Sequence, residues 1–155
     1  MELLFMANSE LYAHVNRLLI DLNRSLLQYV GECYPWTAKN AEQERAIVAD
    51  LVIRQRHQIQ QLAEYLRSVD WPTDFGSYPT EYTNLHYVAL DYLLSQLLES
   101  EVALLNQTNQ VLAQAQSDPE LAQLLGRVHA EEQAMVAEIR RLASKSSTAS
   151  WIRSS

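Results

Sequence analysis

Cysteine, glycine, proline and basic residues are all scarce in this chain. The single cysteine, Cys33, cannot form an intrachain disulfide, so nothing points to an oxidising compartment. Three glycines and four prolines in 155 residues leave few chain-breaking points, and Leu, Ala, Gln and Glu are plentiful. That composition favours helix over sheet, and the length suits one domain with a real core. A net charge of -7 excludes the basic stripe of a nucleic-acid-binding surface. No apolar run approaches the ~20 residues that cross a bilayer, so no membrane partner is expected. The start MELLFMANSE has an acid at position 2 and a very short apolar run, unlike a signal peptide; a cytoplasmic location is expected. There is no βαβ pattern, Gly-rich phosphate loop or nucleophile elbow.

Four amphipathic segments remain. The first runs from about Ser9 to Gly31, with Leu11, Val15, Leu18, Leu22, Leu26 and Tyr29 at helical spacing. The second runs from about Ala41 to Arg67, with Val48, Leu51, Val52, Ile59, Leu62 and Leu66 on one face. The stretch DWPTDFGSYPT is a loop, rich in Pro, Gly and aromatics. A third helix is predicted from about Glu81 to Gln116. A fourth opens on Ser117-Asp118-Pro119-Glu120, read as a capping box with Ser117 at the cap, and continues to about Ser144. Residues 1–145 are thus expected to form one all-α, antiparallel four-helix bundle, and 146–155 a polar C-terminal tail. The connection between the second and third helices separates two topologies. Its 12 to 16 or so residues reach roughly 40–50 Å when extended, enough to cross the bundle. A ferritin-like crossover is favoured over simple up-down-up-down.

Placing residues at about 100° per step puts several polar groups inside the apolar arcs. Glu101 falls in the middle of the third helix's arc and Glu132 inside the fourth's. Gln55 lies inside the second helix's arc and Gln58 at its edge. Two carboxylates facing each other in a core are costly unless protonated, hydrogen-bonded or metal-bound. The arrangement therefore reads as a closed polar network with a shared proton or amide partners, as a bound cation, or as a case in which one carboxylate lies at the surface. Of the four histidines, His57 falls opposite the apolar face. His14, His86 and His129 sit at arc edges, and His129 stands one turn from Glu132, where the two could share an ion.

Two segments share one spacing. Gln55-x-x-Gln58-Ile59-x-x-Leu62 and Glu132-x-x-Met135-Val136-x-x-Ile139 both follow the spacing of the frame E-x-x-H-[AV]-x-x-L, although only Glu132 of the four ligand positions keeps its acid or base. With the core Glu101, the turn opening on Asp118-Pro119 and the pair Glu131-Glu132, this order resembles the ferritin-like superfamily. The resemblance implies a di-iron or di-manganese site with Glu on helices 1 and 3 and E-x-x-H on helices 2 and 4. It assigns the carboxylate positions of helices 3 and 4 to Glu101 and Glu132. Gln55 and Gln58 stand where the helix 2 Glu and His would be, and Met135 where the helix 4 His would be. On helix 1, the positions Leu22, Ser25 and Tyr29 place Leu22 where the first carboxylate would be. Neutral amides, a thioether and a hydrocarbon do not hold two hard cations, so dinuclear oxygen chemistry is expected to be lost.

The expected function is accordingly that of a non-catalytic bundle acting through self-association or contact with another protein. The first helix has a wide apolar arc, with Phe5, Tyr12, Leu19, Ile20, Leu26 and Leu27 extending past one core face. Such a helix needs a second partner, either a second subunit or the C-terminal tail, and a homodimer through helix 1 is expected. The alternative is a reduced metalloprotein with one ion on Glu101, Glu132 and His129; no other cofactor is expected. A third reading is a small-molecule pocket lined by Tyr29, Tyr87 and Tyr92.

Overall fold

All regular structure is helical in a computed structural model of the chain, which describes residues 2–33, 42–78 and 90–153, with side chains in 8–32, 42–78 and 92–145. The elements are α1 (Glu2–Asn23), α2 (Leu26–Cys33), α3 (Glu42–Ser68), α4 (Leu90–Gln114) and α5 (Pro119–Arg153). The expected start of the third helix, with His86 and Tyr87, lies outside the described residues, as do the side chains of Phe5 and Cys33.

The first amphipathic segment is two helices rather than one. The ladder stops at Arg24–Ser25, where the Ser25 Oγ accepts the backbone N–H of Gln28 at 3.3 Å. That is an N-cap, satisfying one of the donors a helix start leaves open. The hydrophobic period does not reveal the break, because Leu22, Leu26, Leu27 and Val30 remain buried on both sides of it. Gly31 lets α2 lie close on α3: a Cβ there would stand 2.7 Å from Val52 Cγ2.

The cap of α5 is Asp118, not Ser117. Its Oδ1 accepts the N–H of Leu121 at 3.1 Å, which makes Pro119 the first helical residue. Its other oxygen accepts the Tyr65 hydroxyl and ties this end of α5 to α3. The last helix, expected to end at about Ser144, continues through Arg153 into the polar C-terminal tail. No Gly or Pro follows Gly126, so the sequence offers no stop signal.

α3 ends in a Schellman motif. Asp70 N–H bonds to Arg67 O at 3.0 Å and Trp71 N–H to Leu66 O at 2.9 Å, with Asp70 in the left-handed region at φ 56°. Leu66 and Trp71 then meet in the same apolar cluster, as this motif favours.

α4 packs on α5, α1 on α3 and α4, α3 on α5, and α2 on α3 and α4. The apolar core is divided in two. One cluster joins Leu11 to Leu22 of α1 with Ile59–Leu66 of α3, Leu104 and Val111 of α4, and Leu121–Val128 of α5. The other joins Leu26–Val30 of α2 with Val48–Val52 of α3, Leu93–Leu97 of α4, and Met135–Leu142 of α5. Between them lies a layer of buried polar groups.

The segment after α3, residues 69–78, follows α1. Trp71 meets the edge of Tyr12, and the Asp74 N–H donates to Asn16 Oδ1 at 3.0 Å. Asn23 Nδ2 and Arg24 Nε both donate to Phe75 O, and Arg24 Nε also to Gly76 O at 2.8 Å. Tyr78 packs edge-on against Tyr29 and donates to Glu32. Gly76, at φ 70°, lies so close to α1 that a Cβ would be 2.6 Å from Ile20 Cγ2. Leu19, Leu26 and Leu27, which widen the first helix's apolar arc, are buried within the single chain. Among the described residues, no helix is long and apolar enough to cross a membrane.

Candidate functional site

The polar layer is built from four helices. α3 supplies Gln55, which is fully buried, and Gln58, at 5% exposure. Glu101 of α4 and Glu132 of α5 are both 0% exposed. The end of α1 and start of α2 supply Ser25 and Gln28, both at 3%. Leu22, at the helix 1 carboxylate position of the resemblance, is wholly buried among hydrocarbon, and so is Met135.

Gln55 is the centre of this layer. Its Nε2 donates to Glu101 Oε2 at 2.9 Å and to Glu132 Oε1 at 3.1 Å. An amide nitrogen has two N–H groups, and both are used. Its Oε1 accepts from Ser25 Oγ at 2.9 Å and from Gln28 Nε2 at 3.0 Å. Gln28 Nε2 also reaches Val52 O at 3.2 Å, and Gln28 Oε1 accepts from Arg56 Nε at 3.2 Å. A hydrogen-bonded chain therefore runs from an exposed guanidinium to the buried acids.

Burial pushes the Glu101 carboxyl well above the ordinary carboxylate range; the Glu132 charge and the hydrogen bond with Glu132 add to it, and Gln55 opposes. Burial raises Glu132 too, but hydrogen bonds from Glu101 and Gln55 counter it, with the nearby Glu131 charge adding to the rise. The two carboxyls therefore differ: Glu101 is the better proton holder, and Glu132 the better anion. Glu101 Oε1 and Glu132 Oε2 are buried without a hydrogen-bond partner. The hydrogen bond between the two carboxyls, which raises Glu101 and lowers Glu132, requires a proton, and Glu101 is the group that holds it.

The residues present do not fit a di-metal centre. Two carboxylates remain, and the position between them is held by an amide N–H pair, which repels a cation. Gln58 Oε1 is buried without a hydrogen-bond partner. His129 is half-buried, and among the described residues no group of three or more His, Cys, Asp or Glu side chains is placed to hold a metal ion. His14 is exposed and pairs with Gln114 Oε1, while His57 is exposed beside Gln61. Of the aromatics, Tyr29 is packed against Tyr78 and Tyr92 is 52% exposed, so these two do not converge on a common pocket.

Ser25 and Gln28 are the members of the layer that helical periodicity does not single out as polar contributors. The available signal is Ser25-x-x-Gln28, a capping-box spacing lodged inside an apolar run. No protein-family model matches the chain, and no curated protein matches it either.

Proposed function

We propose that this chain is a metal-free, non-catalytic bundle of ferritin-like topology, in which an amide-bridged acid pair occupies the level of a di-metal centre. One observation carries the reading: a single nitrogen, Gln55 Nε2, donates to both Glu101 and Glu132. Those two bonds do for the carboxylates what a bridging cation would do.

The helix contacts favour the topology. Tyr12 meets Tyr65 and Ser25 meets Gln55, which runs α1 against α3. His14 meets Gln114 and Asp21 meets Gln107, which runs α1 against α4. Gln55 meets Glu132 and Tyr65 meets Asp118, which runs α3 against α5. With α4 and α5 joined by a tight turn, these contacts favour α3 and α4 pointing the same way on opposite corners, as a crossover connection requires. This is the up-down-down-up order.

On this reading the role is exercised at the surface, by self-association or contact with another protein. Leu19, Leu26 and Leu27 of the first helix's wide apolar arc lie in the chain's own core, and a homodimer through this helix rests on the remainder of the arc. Light scattering after size exclusion measures the oligomeric state directly.

A second reading keeps one ion on Glu101 and Glu132, with His129 as a further donor. The buried, partnerless Glu101 Oε1, Glu132 Oε2 and Gln58 Oε1 favour it. Elemental analysis of protein purified without chelator separates the two. The metal-free reading expects transition metal well below one ion per chain, and stoichiometric metal lost in a Glu101→Ala/Glu132→Ala variant would replace it with the second.

A further inference from the structure

We propose that Ser25 and Gln28 are positioning residues that set the direction of the Gln55 amide, and that the layer's preference for an N–H bridge over a cation resides in them. The inference rests on the metal-free reading and deepens it.

An amide can be turned end for end at almost no cost in shape, so its direction is fixed only by its neighbours. Gln55 Oε1 faces two donors, the Ser25 hydroxyl and Gln28 Nε2. Gln28 is itself fixed by groups that cannot change role. Its oxygen meets Arg56 Nε, which only donates, and its nitrogen meets Val52 O, which only accepts. Direction therefore passes from Arg56 and Val52 through Gln28 to Gln55. Ser25 adds a second donor while its oxygen caps α2.

The reversed Gln55 amide would set a carbonyl oxygen against Glu101 and Glu132. Three hard oxygens from two acids and an amide are a donor set for a divalent cation. In the observed direction the same place is filled by two N–H groups. The break between α1 and α2 has a use on this view: the cap it creates turns the Ser25 hydroxyl onto Gln55.

The test is the side-chain amide spectrum of ¹⁵N-labelled protein, with the Gln55 signals assigned by their loss in Gln55→Leu. In the unaltered chain both Gln55 amide protons, each bonded to a carboxylate, should lie downfield and exchange slowly. In Ser25→Ala/Gln28→Leu they should lose that shift and exchange at least about tenfold faster. Ser25→Thr, which restores a hydroxyl, should keep both signatures. Gln28→Met keeps side-chain length and the Ser25 cap, and serves if the double variant does not fold; a smaller loss of shift and protection is expected. Unchanged Gln55 signals in a folded variant overturn the positioning role. Manganese(II) titration of the unaltered protein, followed by electron paramagnetic resonance, is the separate arm. Stoichiometric Mn²⁺ binding there overturns the metal-free reading, and with it this inference. Absence of binding with unchanged Gln55 signals overturns this inference alone.

Discussion

Gln55 Nε2 lies 2.9 Å from Glu101 Oε2, and this bond joins a neutral donor to the group best placed to hold the core's proton. A protonated carboxyl and a carboxamide have nearly the same shape and the same donor–acceptor pair. Glu101→Gln should therefore leave stability at neutral pH within about 1 kcal/mol of the unaltered protein. Glu101→Ala should cost about 3 kcal/mol or more, because it opens a cavity, frees a Gln55 N–H and leaves Glu132 buried without its proton donor. Guanidinium unfolding of the two variants side by side checks the contrast. Equal losses from both changes would sink the shared-proton account.

Stability should also depend on pH in a definite direction. Glu101 and Glu132 are both raised in the folded chain. The folded state thus keeps a proton that the unfolded chain has released. Their contribution is fully present below the ordinary carboxylate value of 4.5 and is lost as pH climbs through the raised folded value. Unfolding should release protons over that range, and Glu101→Gln should flatten the dependence. Denaturation midpoints at a series of pH values, taken at constant ionic strength, measure it.

Two left-handed backbone positions should respond oppositely to the gain and the loss of a glycine. Asp70 sits at φ 56° as the left-handed residue of the α3 Schellman motif, where a side chain is strained. Asp70→Gly should stabilise by about 0.5–1 kcal/mol. Gly76 sits at φ 70° with Ile20 Cγ2 2.6 Å from where a Cβ would be. Gly76→Ala should destabilise by about 1–3 kcal/mol, by strain and by lifting the segment after α3 from α1. Thermal melts decide both signs.

Arg54 should matter modestly and in a salt-dependent way. Its guanidinium reaches Glu138 at 2.9 Å, Glu131 at 3.3 Å and Asp50 at 3.6 Å, joining α3 to α5 at a half-exposed site. Arg54→Met, which keeps an apolar stem, should cost about 1 kcal/mol at low salt. That loss should shrink in molar sodium chloride, where such pairs are screened. A cost unchanged by salt would mean that packing, not charge, is what Arg54 supplies.

Much of the helical pattern is legible in the chain, and the reasons are local. Leu62, Leu66, Leu94, Leu97, Val128 and Ile139 fall on apolar arcs and are buried. The same arcs single out Glu101, Glu132 and Gln55, because a residue's direction from a helix follows from its spacing alone. The Arg24–Ser25 break is hidden because periodicity records which face is apolar, not which N–H meets which C=O. Asp118 displaces Ser117 as the cap because both are good caps, and only the N–H of Leu121 decides between them. Gln28 escapes because its partner lies 27 positions away on α3. The fate of Leu19, Leu26 and Leu27 is also beyond local reading. A wide arc says that cover is needed, but not that the chain's own core supplies it for these three.

The polar layer between the two apolar clusters has a consequence for alignment. Leucine meets leucine equally well if one helix slides by a turn, about 5.4 Å, along its neighbours. Gln55, Glu101 and Glu132 do not permit that slip, because each would leave its hydrogen bonds and be driven into hydrocarbon. The layer thus serves as an index mark for the whole assembly: it gives up some cohesion at mid-height and in exchange allows a single vertical register among helices that would otherwise accept several.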